Sequence, residues 1–115
     1  MLLVLDVGNT NTVLGVFERP ETSAEATHYE RLVANWRVTT SKTQTVDEYG
    51  VLFRNLFSMA HLEVGEVHGI VISSVVPPLD TVLRAVCERY FSLKPLFIEP
   101  GVKTCLLYTS DAADE

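Results

Sequence analysis

A chain of 115 residues, 47% of them hydrophobic, is long enough to bury one core and too apolar to be an intrinsically disordered segment. Nine basic against fifteen acidic residues give a formal net charge of −6 with no basic cluster, which argues against a nucleic-acid-binding face. Its apolar runs are shorter than a membrane span, Cys87 and Cys105 lack metal-type spacing, and Met1-Leu2-Leu3-Val4-Leu5 has neither a basic stretch nor a cleavage site, so the expectation is a cytoplasmic domain with free thiols.

The first seventeen residues read as two short buried strands joined by a polar turn. Leu2 to Leu5 and Val13 to Phe17 are apolar and rich in Val and Leu, and Gly8-Asn9-Thr10-Asn11 between them is turn chemistry that tolerates positive φ. Asp6 is the residue that such a hairpin does not require. An ionised carboxylate beside a buried strand costs roughly several kcal/mol unless a donor, a cation or water compensates it. The adjoining turn offers backbone N–H groups and the side chains of Asn9, Thr10 and Asn11, all able to bond phosphate oxygens. A carboxylate for hydrated Mg²⁺ next to a polar turn for phosphate outlines a nucleotide-triphosphate site. The bland alternative is that Asp6 and the two asparagines only stabilise a tight hairpin.

Arg19 to His28 is polar and aperiodic, a surface connection. A third strand follows over 32–39, with Leu32, Ala34, Trp36 and Val38 expected on one side. Thr45-Val46-Asp47-Glu48 is a capping box that should start a helix whose inner stripe is Tyr49, Leu52, Phe53, Leu56, Phe57 and Ala60. A buried strand of about six residues is expected from Gly69 onward. Pro78 then fits the first position of a second helix, with Leu79, Val82, Leu83, Val86 and Tyr90 inward and Cys87 a buried, inert thiol. Ser73 and Ser74 stand where that strand meets the helix entry, most simply as turn caps. Leu93 to Ile98 reads as a last strand, closed by the turn Glu99-Pro100-Gly101. His28, His61 and His68 have no metal spacing and receive no role. The order β-β-β-α-β-α-β predicts a mixed α/β sheet rather than a Rossmann unit, which needs a helix after its first strand.

Four blocks, Asp6-Val7-Gly8-Asn9-Thr10-Asn11, Trp36-Arg37-Val38-Thr39-Thr40, Thr45-Val46-Asp47-Glu48-Tyr49 and Ser73-Ser74-Val75-Val76-Pro77, together resemble the amino-terminal half of type III pantothenate kinase. The resemblance implies a ribonuclease H-like, actin-like ATPase first domain of the acetate kinase, sugar kinase, heat-shock chaperone and actin superfamily. It implies ATP-dependent phosphorylation of pantothenate to 4′-phosphopantothenate, the first step of coenzyme A biosynthesis. With this come Mg²⁺, a monovalent cation (K⁺ or NH₄⁺) and a homodimer with the substrate pocket near its interface. Asp6 resembles the carboxylate that orients Mg²⁺-bound phosphate through water, and Gly8, Asn9, Thr10 and Asn11 resemble the phosphate-binding turn.

The likeness covers residues 1–104, expected to be an incomplete nucleotide-phosphate-binding domain. Beyond Thr104 the family's Gly-x-Asp-Arg block, which supplies the general base, does not occur, and residues 105–115 resemble a translated sequencing adapter. No catalytic base is therefore assigned, and the chain by itself is expected to be inactive. Other readings are a nucleotide-sensing regulator resembling Bvg accessory factor, another kinase of the superfamily, or a small α/β interaction domain.

Overall fold

The computed structural model describes residues 1–18 and 31–99, which form β1 (Leu2–Val7), β2 (Asn11–Glu18), β3 (Arg31–Thr39), α1 (Val46–Met59), a 3₁₀ turn at Val64–Glu66, β4 (Gly69–Ser74), α2 (Pro77–Tyr90) and β5 (Leu96–Ile98). The connection at Arg19 to His28, the residues from Pro100 onward, Cys105 and the adapter-like stretch 105–115 lie outside the described residues.

The five strands make one mixed sheet in the order β3-β2-β1-β4-β5. β1 pairs antiparallel with β2 and parallel with β4, β2 pairs antiparallel with β3, and β4 parallel with β5. The period-2 alternation of β1 divides its side chains between two layers. Leu3, Leu5 and Val7 join the main core with Leu14, Val16, Ile70 and Ile72 and with Tyr49, Phe53, Phe57, Leu79, Leu83 and Val86 of the helices, so both helices cover this face. Leu2 and Val4 point the other way, into a smaller cluster with Phe17, Leu32 and Val71. The expected aromatic stripe of α1 is core: Phe57 sits between Trp36 and Phe91, with ring centroids 5.8 and 5.6 Å away.

The capping box forms as the sequence predicts, with the Thr45 hydroxyl accepting from the Glu48 N–H and the Glu48 carboxylate accepting from the Thr45 N–H. Three local expectations are corrected. The register of β3 against β2 slips between Val16 and Phe17, because Val16 pairs with Ala34 but Phe17 pairs with Leu32. The bulge inserts Val33, turning Leu32 away from Trp36 and Val38 onto the opposite layer and packing Val33 against the helix-side core. The second helix begins one residue earlier than predicted, at Pro77, with both prolines in its first turn, where a missing N–H costs nothing. β5 is shorter than predicted because Ser92 is left-handed (φ 58°), the Leu93 N–H bonds back to the Cys87 carbonyl, and Pro95 precedes the strand.

Two of the histidines have structural roles that spacing did not suggest. His61 occupies the left-handed position (φ 61°) after α1: its N–H bonds to the Ser58 carbonyl and the Leu62 N–H to that of Phe57, a Schellman stop normally built with glycine. The His68 N–H bonds to the Met1 carbonyl while the Met1 ammonium donates to the Glu66 carbonyl, stapling the start of β1 beside β4.

Candidate functional site

Asp6, Gly8, Asn9, Thr10 and Asn11 gather at the C-terminal end of β1, the central strand. Asp6 is half-buried, Gly8 buried, Asn9 and Thr10 exposed, and Asn11 intermediate. Asp6 lies opposite Val13 on β2 and Ser73 on β4, and Val13 in turn lies opposite Arg37 on β3, so these four side chains share the face turned away from the helices. The entry to α2 sits alongside: the Val75 N–H donates to the Val7 carbonyl, and the Ser74 hydroxyl accepts from the Val76 N–H. Ser74 is thus the turn cap expected of it, and Ser73 is a buried hydroxyl next to Asp6 in the register. Carboxyl ends of adjacent parallel strands are where ligands bind in open α/β sheets.

The turn itself has an unusual support. The Gly8 N–H donates to the Asn11 carbonyl (2.9 Å), but neither Asn9 nor Thr10 has a positive φ, so this is not one of the mirror-image hairpin turns. Instead Thr40, just past β3, reaches across β2: its N–H donates to the Thr10 carbonyl (2.9 Å) and its hydroxyl to the Gly8 carbonyl (2.7 Å). The Thr12 and Thr40 hydroxyl oxygens are 2.8 Å apart, and since the single Thr40 hydroxyl hydrogen is committed to Gly8, Thr12 is the donor between them. Both threonines are buried. Ser41 is fixed in turn by Tyr49 of α1, whose hydroxyl donates to the Ser41 carbonyl and accepts from the Ser41 N–H. Burial raises the Tyr49 hydroxyl pKa. Thr12 receives no role from the sequence, and Thr40 enters there only as the end of the Trp36–Thr40 block. The available signal was a threonine on the inward side of an otherwise apolar strand, where a hydroxyl needs a partner.

No group of three His, Cys, Asp or Glu side chains able to hold a metal occurs among the described residues. A single carboxylate such as Asp6 is the kind of hard oxygen donor that Mg²⁺ accepts, so this is the residue that would hold such an ion. A cavity of about 400 Å³ lies elsewhere, between Arg54, Ser58, His61 and Glu63, and shares no residue with this turn.

A sequence model of the family described as type III pantothenate kinase matches residues 2–115. The chain belongs to the type III pantothenate kinase family. Among curated relatives of that name, the protein of Koribacter versatilis (strain Ellin345) is 70% identical over 104 residues, and those of Anaeromyxobacter dehalogenans (strain 2CP-C) and Myxococcus xanthus (strain DK1622) are each 52% identical over the same length. These matches take in 90% of this chain but only 37–38% of each relative, so the chain spans a little over a third of the length of the pantothenate kinases it resembles. Among solved structures, a ROK hexokinase from Thermus thermophilus superposes with a TM-score of 0.58 at 16% identity, over 85% of this chain and 34% of the hexokinase. Thermus thermophilus RuvC superposes with a TM-score of 0.53 at 16% identity, over 86% and 63% of the two chains. These likenesses bear on fold alone, and they agree with the expected ribonuclease H-like, actin-like α/β architecture.

Proposed function

We propose that residues 1–104 form the nucleotide-phosphate-binding part of a kinase that transfers a phosphoryl group from ATP to pantothenate, giving 4′-phosphopantothenate for coenzyme A biosynthesis. The observation that carries this reading is the family match together with the position of Asp6 and the Gly8–Asn11 turn at the carboxyl end of the central strand. In this reading the Asn9 and Thr10 N–H groups and the Asn9, Thr10 and Asn11 side chains receive phosphate oxygens, the Gly8 N–H being bonded to the Asn11 carbonyl. Asp6 would hold Mg²⁺, and the ion, when bound, would neutralise phosphate charge. Phosphoryl transfer needs chiefly positioning and charge neutralisation, which suits a site built of backbone, amides and one carboxylate.

The proposal extends to a cytoplasmic enzyme, a homodimer and a monovalent cation, K⁺ or NH₄⁺, to which no residue of this chain is assigned. No helix among the described residues is long and apolar enough to cross a membrane. The 115 residues contain no Gly-x-Asp-Arg block, the block to which the resemblance assigns the general base, so the chain alone is expected to be inactive toward pantothenate.

The test is a chimera joining residues 1–104 to the portion of the Koribacter versatilis relative that the match leaves uncovered. The chimera should phosphorylate pantothenate with ATP, while the 115-residue chain should not exceed a matched blank. Asp6→Asn should lower turnover by about 100-fold or more, as loss of a preorganised charge contact does, with little change in melting temperature. Undiminished turnover in Asp6→Asn would sink the assigned role.

A further inference from the structure

Building on the phosphate-binding reading of the turn, we infer that Thr40 is a positioning residue: its hydroxyl, oriented by Thr12, holds the Gly8–Asn11 turn in the conformation that receives nucleotide phosphate. The turn lacks the positive φ angles with which a two-residue hairpin matches the twist of its own strands, so it depends on an outside support. Thr40 gives that support at two carbonyls, Gly8 by hydroxyl and Thr10 by N–H. All described peptides are trans, and a trans peptide carries its C=O and N–H on opposite sides. Drawing the Gly8 carbonyl toward Thr40 therefore turns the Asn9 N–H away from Thr40, leaving it outside the buried Thr12–Thr40 pair at an exposed residue of the turn. Thr12 adds direction: by donating to the Thr40 oxygen it leaves the Thr40 hydrogen one buried acceptor, the Gly8 carbonyl. Tyr49 clamps the next peptide, at Ser41, and so connects the support to helix α1.

The experiment compares Thr40→Val, which keeps the shape and removes the hydroxyl, with Thr40→Ser, which keeps the hydroxyl. Amide hydrogen exchange of Gly8 to Asn11 is followed in the 115-residue chain, and the KM values for ATP and pantothenate are measured in the chimera. Loss of one buried hydrogen bond corresponds to about tenfold in an equilibrium, so Thr40→Val should speed exchange of the Gly8 N–H, which is bonded to the Asn11 carbonyl, about tenfold and raise the KM for ATP by a similar factor. The KM for pantothenate should stay unchanged, and Thr40→Ser should behave as the parent in both measurements. A merely structural threonine would lower the active fraction without separating the two KM values. The inference is overturned if Thr40→Val leaves the KM for ATP unchanged, whatever its exchange, or if Thr40→Ser is as impaired as Thr40→Val. A parent chimera with no transfer to pantothenate would instead reject the function proposed above, and the exchange comparison alone would then decide whether Thr40 holds the turn.

Discussion

Gly50 sits in the middle of α1, where glycine is a poor choice by helix propensity, and replacing it with alanine should nevertheless destabilise the protein. The residue is buried, and a Cβ built on it would lie 2.2, 2.4 and 2.6 Å from three ring carbons of Tyr90 on α2. Ordinary carbon contacts need about 3.5–4.0 Å, so either the helices separate by more than an ångström or the ring leaves. Separation is opposed by Phe53, Phe57, Leu83 and Val86, all buried in the same core. Departure of the ring breaks its 2.6 Å bond to Asp47, which also receives Arg89 at 2.9 Å. That carboxylate is held below its usual pKa by the Tyr90 hydroxyl first and the Arg89 guanidinium second. Alanine gains about 1 kcal/mol over glycine in a helix interior, whereas overpacking costs about 1–3 kcal/mol, so the net expectation is a loss of about 1 kcal/mol. Urea unfolding followed by circular dichroism should show this for Gly50→Ala in the parent chain. In a Tyr90→Ala background the clash is gone, and the same substitution should stabilise by about 1 kcal/mol. The coupling is then about 2 kcal/mol, well outside the additivity of independent sites. Gly50→Ala effects equal in the two backgrounds would refute the packing argument.

His61→Gly should stabilise the chain by about 0.5–1 kcal/mol, because relief of a left-handed non-glycine residue outweighs the added freedom of the unfolded chain. A fall in the urea midpoint would show that the imidazole contributes more than its φ angle costs. Burial, reinforced by Glu88 and opposed by Arg84, pushes the Cys87 thiol up to about 12. A folded-state pKa above the unfolded value near 9 means that its stabilisation is complete below about pH 9 and is lost as pH rises toward 12. The parent should therefore lose stability more steeply than Cys87→Ala between pH 9 and about 10.5, and mass spectrometry after thiol labelling at pH 8 should find the Cys87 peptide unmodified. Rapid native-state labelling of Cys87 would contradict the assigned burial.

What could be read from the sequence was what is local. The capping box at Thr45 and Glu48, the helical spacing of Tyr49, Phe53 and Phe57, and the β-branched run of β4 each depend on neighbours a few residues away, and each formed as predicted. The Asp6 to Asn11 string was recognisable for the same reason. The misplacement of Leu32 came from a bulge, an event between two strands that alternation within one strand cannot register. Thr12 and Thr40 are 28 residues apart, and only the sheet order brings their hydroxyls together beneath the turn. Gly50 and Tyr90 likewise find their meaning in a helix crossing, where the missing side chain of one makes room for the ring of the other.

The place of β1 in the sheet has a kinetic consequence. Its antiparallel partner follows directly, with Leu2 opposite Phe17, whereas its parallel partner begins with Gly69 opposite the same Leu2. The hairpin carrying Asp6 can form while little of the chain has been synthesised, but β1 becomes a central strand only after a long loop closes. Non-local parallel pairing of this kind slows folding, so docking of β4 is the expected slow step. Until that step the hairpin has an open edge, competent to pair with other chains, and the segment that carries the carboxylate is also the one most in need of prompt completion.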